Sequence, residues 1–396
     1  MLWGGALTAL RAFSLEPDET EMTLTAPRAA LAERLDHLDR IVERRNTIPI
    51  LSHVKLTADQ GRLRLFATDL DIAAESELTD GVECAEPFAT AVPASLLRDI
   101  VRRMEGDRVS LKPEAETGQM RLACGRGRFT VQTLEARDFP EIAMTAGDDA
   151  VSVTLTAETW RQGLEATSFA ISTEETRYYL NGIYLHAADE GLAFVATDGH
   201  RLAKWVHPMG DVALSLPVIV PRKTVGLLEK LLPKTGAITA AISDKAILLT
   251  LPDLTIRSKL IDGTFPDYGR VIPQANSLTL TLDRATLAEA VGRVACVMTD
   301  RGRALKLTLS ERPDKVSIEA RNPDAGVGTE ELPGEVDLGG AGHFEIGVNS
   351  RYLAETLDAI TAPKIIARFA DPGSPILIAP HGTADRHTLV IMPMRV

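Results

Sequence analysis

The stretch VPASLLRDIVRRM at residues 92–104 returns as VPRKTVGLLEKLL at 220–232 and as VNSRYLAETLDAI at 348–360. Each copy begins 128 residues after the one before it. The apolar residues of each copy recur three and four positions apart, which predicts the buried face of an amphipathic helix. A period of this length is the size of a domain, whereas solenoid repeats are much shorter. The stretch therefore predicts one domain fold used three times, an arrangement that builds a scaffold rather than a single catalytic cleft.

Shorter landmarks repeat with nearly the same spacing and place three domains along the chain. Ala67-Thr68-Asp69 is answered by Ala196-Thr197-Asp198, and Phe139-Pro140 is answered by Phe265-Pro266. Alternating apolar residues between the predicted helices indicate strands. The predicted fold class is therefore α+β, with three tandem copies of a domain made of two helices and antiparallel sheets. The predicted boundaries are an N-terminal extension at 1–21, expected to be mobile, and domains at 22–147, 148–275 and 276–396.

Two features concern the ends of the predicted elements. Ser95 and Ser350 follow the Val-Pro and Val-Asn steps, and their hydroxyls are predicted to cap the helices that begin there. The last seven residues, 390–396, are mostly apolar. For this segment two interpretations stay open, a final edge strand and a methionine-lined groove for apolar peptides.

Composition excludes several classes of protein. The chain has 396 residues, of which 45% are hydrophobic and 25% are charged, as is typical of a globular protein. It contains no run of roughly 18 apolar residues that would predict a membrane span. The three cysteines, Cys84, Cys124 and Cys296, lie far apart and form no CxxC pair. A disulfide framework, a zinc site and any other cofactor are therefore not expected, and a reducing cytoplasm is the predicted compartment.

The distribution of charge is more informative than its sum. A formal net charge of −12 disfavours unspecific nucleic-acid binding over most of the surface. The predicted helices nevertheless concentrate basic residues, with three arginines in 92–104 and four basic residues in 220–234. One interpretation is a set of solvated helix faces of mixed charge. The other is a continuous positive lining, if the three domains turn their helices to one side, that holds phosphates without reading sequence.

The string Thr197-Asp198-Gly199-His200-Arg201-Leu202 is the most distinctive local motif. A catalytic interpretation makes His200 a general base oriented by Asp198, or makes the two residues metal ligands, as in a hydrolase or metal enzyme. No third ligand at metal spacing and no GxSxG nucleophile motif accompanies them. An Asp-Gly turn explains the string better, because Asp69 occupies the matching position without a histidine. No catalytic residue and no metal ligand is therefore assigned.

Tyr178 and Tyr179 beside Arg177 allow two interpretations. Their rings can stack on bases or lie over phosphates. As an isolated aromatic pair they fit core packing better. The residues alone leave both uses open.

Several strings together resemble the bacterial DNA sliding clamps, the β-subunit family of DNA polymerase III. ATDGHRLA at 196–203 and RYYLNG at 177–182 are the most specific of them. Further matches are RNTIPIL at 45–51, DGTFPDY at 262–268 and MPMR at 392–395. The resemblance runs in order from Met22 to Val396.

This resemblance implies a crescent of three similar domains, two copies of which pair head to tail into a ring around duplex DNA. The ring would slide without sequence specificity and would tether the replicative polymerase for processivity, with no catalysis of its own. By the family pattern, the residues that face DNA are Arg45, Arg177, Tyr178, Tyr179, Arg222 and Lys223.

The resemblance also implies a pocket for short peptides with Leu and Phe anchors. These peptides would belong to the polymerase, the clamp loader, translesion polymerases and repair proteins. The implied pocket residues are Leu180, Thr197, Gly199, His200, Arg201, Leu202, Pro266, Arg270, Val271, Asn349, Tyr352, Val390, Met392, Pro393, Met394 and Arg395. The implied ring interface pairs the strand of Phe129 and Val131 with the helix near Cys296 and Val297.

Overall fold

The computed structural model describes residues 23–45, 47–209, 217–299, 303–311, 314–382 and 386–396. The predicted extension at 1–21 lies outside these residues. The chain divides into two compact units. Unit 1 holds the described residues up to Asp69 together with Glu75–Glu141, and unit 2 holds Leu70–Ala74 together with Ile142–Val396.

Unit 1 contains the first copy of the repeated fold. Its helices and strands are β1 (Leu24–Pro27), α1 (Arg28–Leu38), β2 (His53–Asp59), β3 (Arg62–Thr68), β4 (Ile72–Leu78, which begins in the segment assigned to unit 2), β5 (Glu83–Cys84), β6 (Phe88–Pro93), α2 (Ala94–Arg103), β7 (Arg108–Glu114), β8 (Gln119–Cys124), β9 (Gly127–Gln132) and β10 (Leu134–Glu135). One sheet has the order β5–β1–β7–β8–β9, and a second contains β10–β6–β2–β3. Strand β9 is therefore an edge strand of its sheet.

Unit 2 begins with the second copy. Its elements are β11 (Val151–Thr156), α3 (Ala157–Glu165), β12 (Gly182–Ala188), β13 (Gly191–Thr197), β14 (Arg201–Pro208), β15 (Val218–Pro221), α4 (Arg222–Leu231), β16 (Ala237–Ile242), β17 (Ala246–Thr250) and β18 (Thr255–Lys259). Two short 3₁₀ helices matter for the site, Glu175–Leu180 before β12 and Tyr268–Val271 after β18.

The third copy completes unit 2. Its elements are β19 (Leu278–Asp283), α5 (Arg284–Val294), β20 (Ala304–Glu311), β21 (Asp314–Asn322), β22 (Gly326–Pro333), β23 (Glu335–Asp337), β24 (His343–Asn349), α6 (Ser350–Asp358), β25 (Lys364–Phe369), β26 (Ile376–Pro380) and β27 (His387–Ile391). A 3₁₀ turn at Ala295–Val297 extends α5. Strand β22 lies at the edge of the sheet β22–β21–β20–β24.

A nine-stranded sheet joins the second and third copies within unit 2. Its order is β15–β12–β13–β14–β27–β26–β25–β19–β23. Strands β14 and β27 pair antiparallel, with Leu202 opposite Val390 and Trp205 opposite His387. Because β27 pairs with β14 on one side and β26 on the other, the predicted edge strand is an interior strand.

The predicted fold class is confirmed by the repeated pattern of elements. Each copy contains two helices, and a strand immediately precedes each of them. The two helices of a copy pack on each other. In the 92–104 stretch, Leu97 and Val101 are fully buried, as the helical spacing predicts. The domain boundaries at 147 and 275 stay a prediction.

The predicted serine caps are wrong. Helix α6 is capped by Asn349, whose Oδ1 accepts hydrogen bonds from the backbone N–H groups of Arg351 and Tyr352 at 3.0 and 3.3 Å. Ser95 lies inside α2, where its hydroxyl donates to the buried carboxylate of Asp39. A side chain one residue nearer the strand has the better reach to the first free N–H groups of α6, so Asn349 takes the capping role.

Candidate peptide-binding site

The loop between β13 and β14 is shaped by the Asp198 carboxylate. Its Oδ1 accepts hydrogen bonds from the backbone N–H groups of His200 and Arg201, at 2.9 and 3.0 Å. Gly199 has a φ of +87°, a left-handed conformation that glycine adopts without a Cβ penalty. The Thr197 hydroxyl donates to the Arg201 carbonyl at 2.6 Å and closes the loop. The Asp-Gly turn that the sequence predicts is thereby confirmed.

Arg201 is a buried cation that joins the second copy of the fold to the third. Its Nε donates to Asp198 at 3.1 Å, one terminal nitrogen donates to Glu355 of α6, and the other donates to the Phe169 carbonyl at 2.6 Å. The guanidinium carbon also lies 4.6 Å from the centroid of the Tyr352 ring. A planar cation with several donors suits this set of acceptors and the aromatic face.

The electrostatics around Arg201 follow from this network. Burial alone would raise the pKa of Glu355, but hydrogen bonds from Arg351 and Arg201 outweigh it and hold that pKa below its usual range. Burial, with the nearby Asp198 charge, raises the pKa of Tyr352. Glu355 is thus held ionised and Tyr352 neutral at physiological pH.

His200 and Tyr352 form an aromatic surface above this network. Their rings are nearly parallel, with an interplanar angle of 18° and centroids 6.1 Å apart. The His200 side chain is exposed, and Tyr352 is half-buried. A flat, partly exposed ring pair of this kind can receive an apolar side chain of a ligand.

The residues after β27 continue along the same surface. The Met392 N–H donates to the His200 carbonyl at 2.9 Å, and the Met394 N–H donates to the Gly347 carbonyl of β24 at 2.9 Å. A Cβ at Gly347 would lie 2.3 Å from the Met394 carbonyl oxygen, so only glycine permits this approach. Met392 and Pro393 are half-buried, while Met394 and Arg395 are exposed.

The floor of the site is apolar. Leu180, Leu202 and Val390 are buried in one hydrophobic cluster, together with Phe265. The segment 265–272 packs on this cluster and presents the implied pocket residues Pro266, Arg270 and Val271 on its exposed side. The structure therefore brings these implied pocket residues onto one surface of unit 2, with buried leucines beneath and Met392 and Met394 at the margin.

An aromatic support behind this floor is a feature that the sequence analysis missed. The rings of Tyr184 and Phe265 are parallel with centroids 4.6 Å apart. His186 Nε2 lies 2.9 Å from the Tyr268 hydroxyl, and His186 Nδ1 lies 2.7 Å from the Ala187 carbonyl oxygen. Burial lowers the pKa of His186 and raises that of Tyr268 to about 12, so both are neutral. The alternation of Tyr184 and His186 on one strand was the available signal.

The implied DNA-facing residues occupy different environments. Arg45, Arg222 and Lys223 are exposed. Tyr178 is 53% exposed, so core packing is the wrong interpretation for it, whereas Tyr179 packs against the hydrophobic cluster.

Arg177 lies beside the loop between β13 and β14. A Cβ at Gly199 would lie 2.5 Å from one of its guanidinium nitrogens. Arg177 pairs with Glu174 at 2.7 Å, and this hydrogen-bonded partner raises the pKa of the guanidinium.

In unit 1, Phe129 on the edge strand β9 is 44% exposed, and Val131 is 4% exposed in the unit's own core. In unit 2, Cys296 is exposed, and its 3₁₀ turn packs on the edge strand β22. Val297 lies in the same turn, half-buried. Each unit therefore has an edge strand near implied interface residues.

The geometry gives the hydrolase or metal-enzyme alternative no support. In the part of the chain that the structure describes, the Asp198 carboxylate accepts from backbone N–H groups and from Arg201, and not from the His200 ring. Within the same residues, no group of three or more His, Cys, Asp or Glu side chains is placed to hold a metal ion.

None of the helices in the described ranges combines the length and the apolar character needed to span a bilayer.

Three family models cover most of the chain. Residues 22–143 match the N-terminal domain of the DNA polymerase III beta subunit, residues 154–267 match its central domain, and residues 269–395 match its C-terminal domain. The matches follow the three copies of the fold in order.

Curated relatives and solved structures agree with the family models. The beta sliding clamp of Caulobacter vibrioides is 41% identical over 383 residues, covering 95% of this chain and all of the relative. That of Escherichia coli K12 is 34% identical over 376 residues, covering 94% of this chain and all of the relative.

Among solved structures, the sliding clamp of Caulobacter crescentus has a TM-score of 0.87 at 39% identity, and that of Bartonella birtlesii, bound to griselimycin, has 0.86 at 39% identity. Both comparisons cover 95% of this chain and all of the solved chain. The chain therefore belongs to the beta subunit family of bacterial DNA polymerase III, the beta sliding clamps.

Proposed function

We propose that two copies of this chain form a closed ring around duplex DNA and tether replication and repair proteins to it without catalysing a reaction. The observation that carries the proposal is the peptide site of unit 2. There the β13–β14 loop, helix α6 and the residues after β27 form one surface over an apolar floor. A surface built from three separate segments around buried leucines suits the docking of a partner segment better than it suits turnover of a small molecule.

The occupants of this site would be short peptides with Leu and Phe anchors, carried by the replicative polymerase, the clamp loader, translesion polymerases and repair proteins. The exposed Met394 and the half-buried Met392 supply flexible, polarisable contacts that adapt to different apolar side chains. One site per chain means that partners exchange by competition. Griselimycin is bound by the Bartonella birtlesii relative, and we expect it to bind this chain as well.

The contact with DNA would be electrostatic. Helix α4 begins with Arg222 and Lys223 and has no acidic residue in its first turn. Basic side chains oppose the dipole at a helix N-terminus, where they cost stability by about 0.3–1 kcal/mol each. The N-terminal end of a helix attracts phosphate, and adjacent cations add to that attraction. A feature that costs stability and attracts phosphate favours a DNA-binding role.

The ring would close by pairing of edge strands from two copies. Strand β9 exposes Phe129, and strand β22 exposes Val327, which is 61% accessible. An exposed edge strand with an apolar residue is a template for pairing with another chain. Because the two edges belong to different parts of one chain, their pairing is head to tail, and two such contacts close a ring.

The decisive experiment is topological. The protein is loaded by a bacterial clamp loader onto a nicked circular plasmid, isolated by gel filtration, and the plasmid is then cut once. A sliding ring stays on the circle and is lost from the linear DNA within minutes, because it slides off the free ends. Retention on linear DNA, or loading that needs no loader, would contradict the proposal.

The peptide site is tested separately with His200→Ala. Removal of the exposed ring lowers the affinity for a Leu/Phe peptide, since the stacked surface with Tyr352 is lost, while the dimer measured by sedimentation is unchanged. Replacing the exposed His381 with Ala is the matched control and leaves both properties intact. Unaltered peptide affinity in His200→Ala would count against this site.

A further inference from the structure

His186 is a half-buried histidine on β12, and both of its ring nitrogens have partners. Nδ1 lies 2.7 Å from the Ala187 carbonyl oxygen, which can only accept, so Nδ1 carries the proton. Nε2 is then the acceptor, and the Tyr268 hydroxyl donates to it at 2.9 Å. The hydrogen-bond pattern fixes one tautomer and one direction for the bond to Tyr268.

Tyr268 belongs to the segment 262–272, which carries the exposed pocket residues Pro266, Arg270 and Val271. Among the strands that the structure describes, none pairs with this segment. Asp267 accepts from the Gly269 N–H and from Arg270, and both of these bonds stay inside the segment. Across the described ranges, the bond from Tyr268 to His186 is the hydrogen bond that ties 262–272 to the sheet.

Aromatic packing places this bond directly behind the peptide site. The centroids of the His186 and Tyr184 rings are 4.8 Å apart. The Tyr184 ring in turn stacks on the Phe265 ring, with centroids 4.6 Å apart. Phe265 is buried in the same cluster as Leu180, Leu202 and Val390, the floor of the site. Apolar packing alone is non-directional, so it lets a turn without strand pairing slide, whereas a directed hydrogen bond fixes its register.

We propose that His186 is a positioning residue for peptide recognition: through Tyr268 it fixes the segment that presents Pro266, Arg270 and Val271 as one wall of the site. This inference rests on the proposed peptide-binding function. His186 touches no ligand itself, so its effect on binding passes through the Tyr268 hydroxyl.

The test uses a fluorescein-labelled synthetic peptide with Leu and Phe anchors and the full chain. His186→Phe keeps the ring and removes both nitrogens, and Tyr268→Phe removes only the hydroxyl. We expect each to weaken peptide binding about fivefold, the effect of one lost hydrogen bond. The double variant should be no weaker than either single variant, because both changes remove the same bond.

Two controls separate positioning from general destabilisation. His186→Gln retains an acceptor on a side chain of similar reach and should bind within about twofold of wild type. His207→Phe alters another partly buried histidine of unit 2, one whose ring stacks on Trp205, and should bind like wild type.

Amide hydrogen exchange supplies a readout that needs no peptide. In His186→Phe and Tyr268→Phe, exchange within 268–272 should accelerate while exchange in β13 and β14 stays unchanged. Wild-type protection of 268–272 in both variants, or additive losses of affinity, would overturn the inference. Failure of the wild-type chain to bind the peptide would overturn the proposed function, and the exchange result would still decide the role of His186.

Discussion

At the scale of single residues, Gly199 shows how a backbone requirement and a binding surface coincide. Its φ of +87° lets Asp198 accept from the two following N–H groups, and its missing Cβ leaves room for Arg177. The residue therefore holds the loop in shape and lets a cation from the neighbouring 3₁₀ helix pack against it.

Gly199→Ala is expected to destabilise unit 2 by about 1–2 kcal/mol, because an alanine at this φ is strained. The Arg177 side chain must also move, so peptide affinity should fall. Denaturant unfolding and peptide titration measure the two effects. Gly226→Ala in α4 is the matched control, since a Cβ there meets no atom of the described residues within 4 Å. That change should stabilise by up to about 1 kcal/mol, and equal effects at both positions would contradict the argument.

Part of the residue-scale site was predictable. The Asp198-Gly199 dipeptide indicates its turn directly, because its conformational demand is local. The partners of Arg201 were not predictable in the same way. Glu355 lies 154 residues further along the chain, and the two meet only because β14 and β27 pair in one register. The exposure of Tyr178 likewise depends on distant neighbours that the sequence does not place.

At the scale of elements, the strand-to-helix junctions carry unusual charge. Helix α4 begins with Arg222 and Lys223, and α6 has Arg351 in its first turn without an acidic neighbour there. Arg351 is offset by Glu355 at 2.7 Å. Some of the predicted basic lining is also used internally, since Arg98 pairs with Asp39 and Asp99. The first turn of α4 presents two adjacent exposed cations and is therefore a candidate for phosphate contact.

The double change Arg222→Ala and Lys223→Ala should weaken equilibrium binding to duplex DNA. The number of counterions released on DNA binding, measured from the salt dependence of the affinity, should fall by about two, the number of cations removed. Stability should stay equal or rise by about 0.5 kcal/mol, because the cations oppose the helix dipole. Filter binding at several salt concentrations and denaturant unfolding provide the data. Lys230→Ala in the last turn of α4 should lower stability slightly and leave DNA binding unchanged; loss of DNA binding there too would point to net charge alone.

Strand β27 contributes a buried titratable group to the centre of the sheet. His387 lies opposite Trp205. Its Nε2 forms a hydrogen bond of 3.2 Å with the carbonyl oxygen of Ala166, the residue that follows α3. Burial lowers the pKa of His387 to about 4, although the hydrogen bond with the Ala166 carbonyl partly raises this pKa. In the unfolded chain the pKa returns to about 6.5. The folded form therefore binds fewer protons between these two values.

Acid should consequently destabilise unit 2 through His387. The contribution of this group is complete above pH 6.5 and is lost as the pH falls toward 4, a total of about 3 kcal/mol. His387→Gln keeps a donor for the Ala166 carbonyl and does not titrate. Between pH 6.5 and 4, the unfolding free energy of this variant should fall less steeply with decreasing pH than that of wild type. The difference in slope corresponds to the uptake of up to one proton on unfolding. Trp160 and Trp205 fluorescence follows the transition, and identical slopes would exclude this role for His387.

Elements of the fold were predictable wherever one face is buried. The 92–104 stretch forms a helix because Leu97 and Val101 share a face, and α3 forms because Trp160 and Leu164 do. The edge-strand interpretation of the last residues failed because an interior and an edge strand can have the same apolar pattern. Only the pairing with β14 and β26 distinguishes the two.

At the scale of the whole molecule, the proposed ring requires that two copies of the chain associate. Each unit supplies one edge strand with an exposed apolar residue, Phe129 on β9 and Val327 on β22. Burial of an exposed aromatic ring at a chain-to-chain contact is worth about 1.5–3 kcal/mol. Such contacts set the lifetime of a closed ring.

Phe129→Ala should therefore weaken the dimer at least about tenfold, because the ring no longer supplies its buried area. Sedimentation equilibrium over a dilution series gives the dissociation constant. Leu96→Ala is the control, since Leu96 is 47% exposed in the same unit but lies on helix α2 and not on the edge strand β9. A dimer equally stable in both variants would exclude β9 as the contact.

The pairing of β14 with β27 also has a consequence for synthesis. Leu202 faces Val390 across 188 residues of chain, so the ribosome completes the second copy of the fold long before its sheet partner exists. Until then the edge of β14 that pairs with β27 has no partner, and the proposed peptide site lacks Val390, Met392 and Met394. A nascent or prematurely terminated chain should consequently be invisible to partner proteins, and only a finished chain would compete for them. Occupancy of the proposed site would then report that translation of the chain is complete.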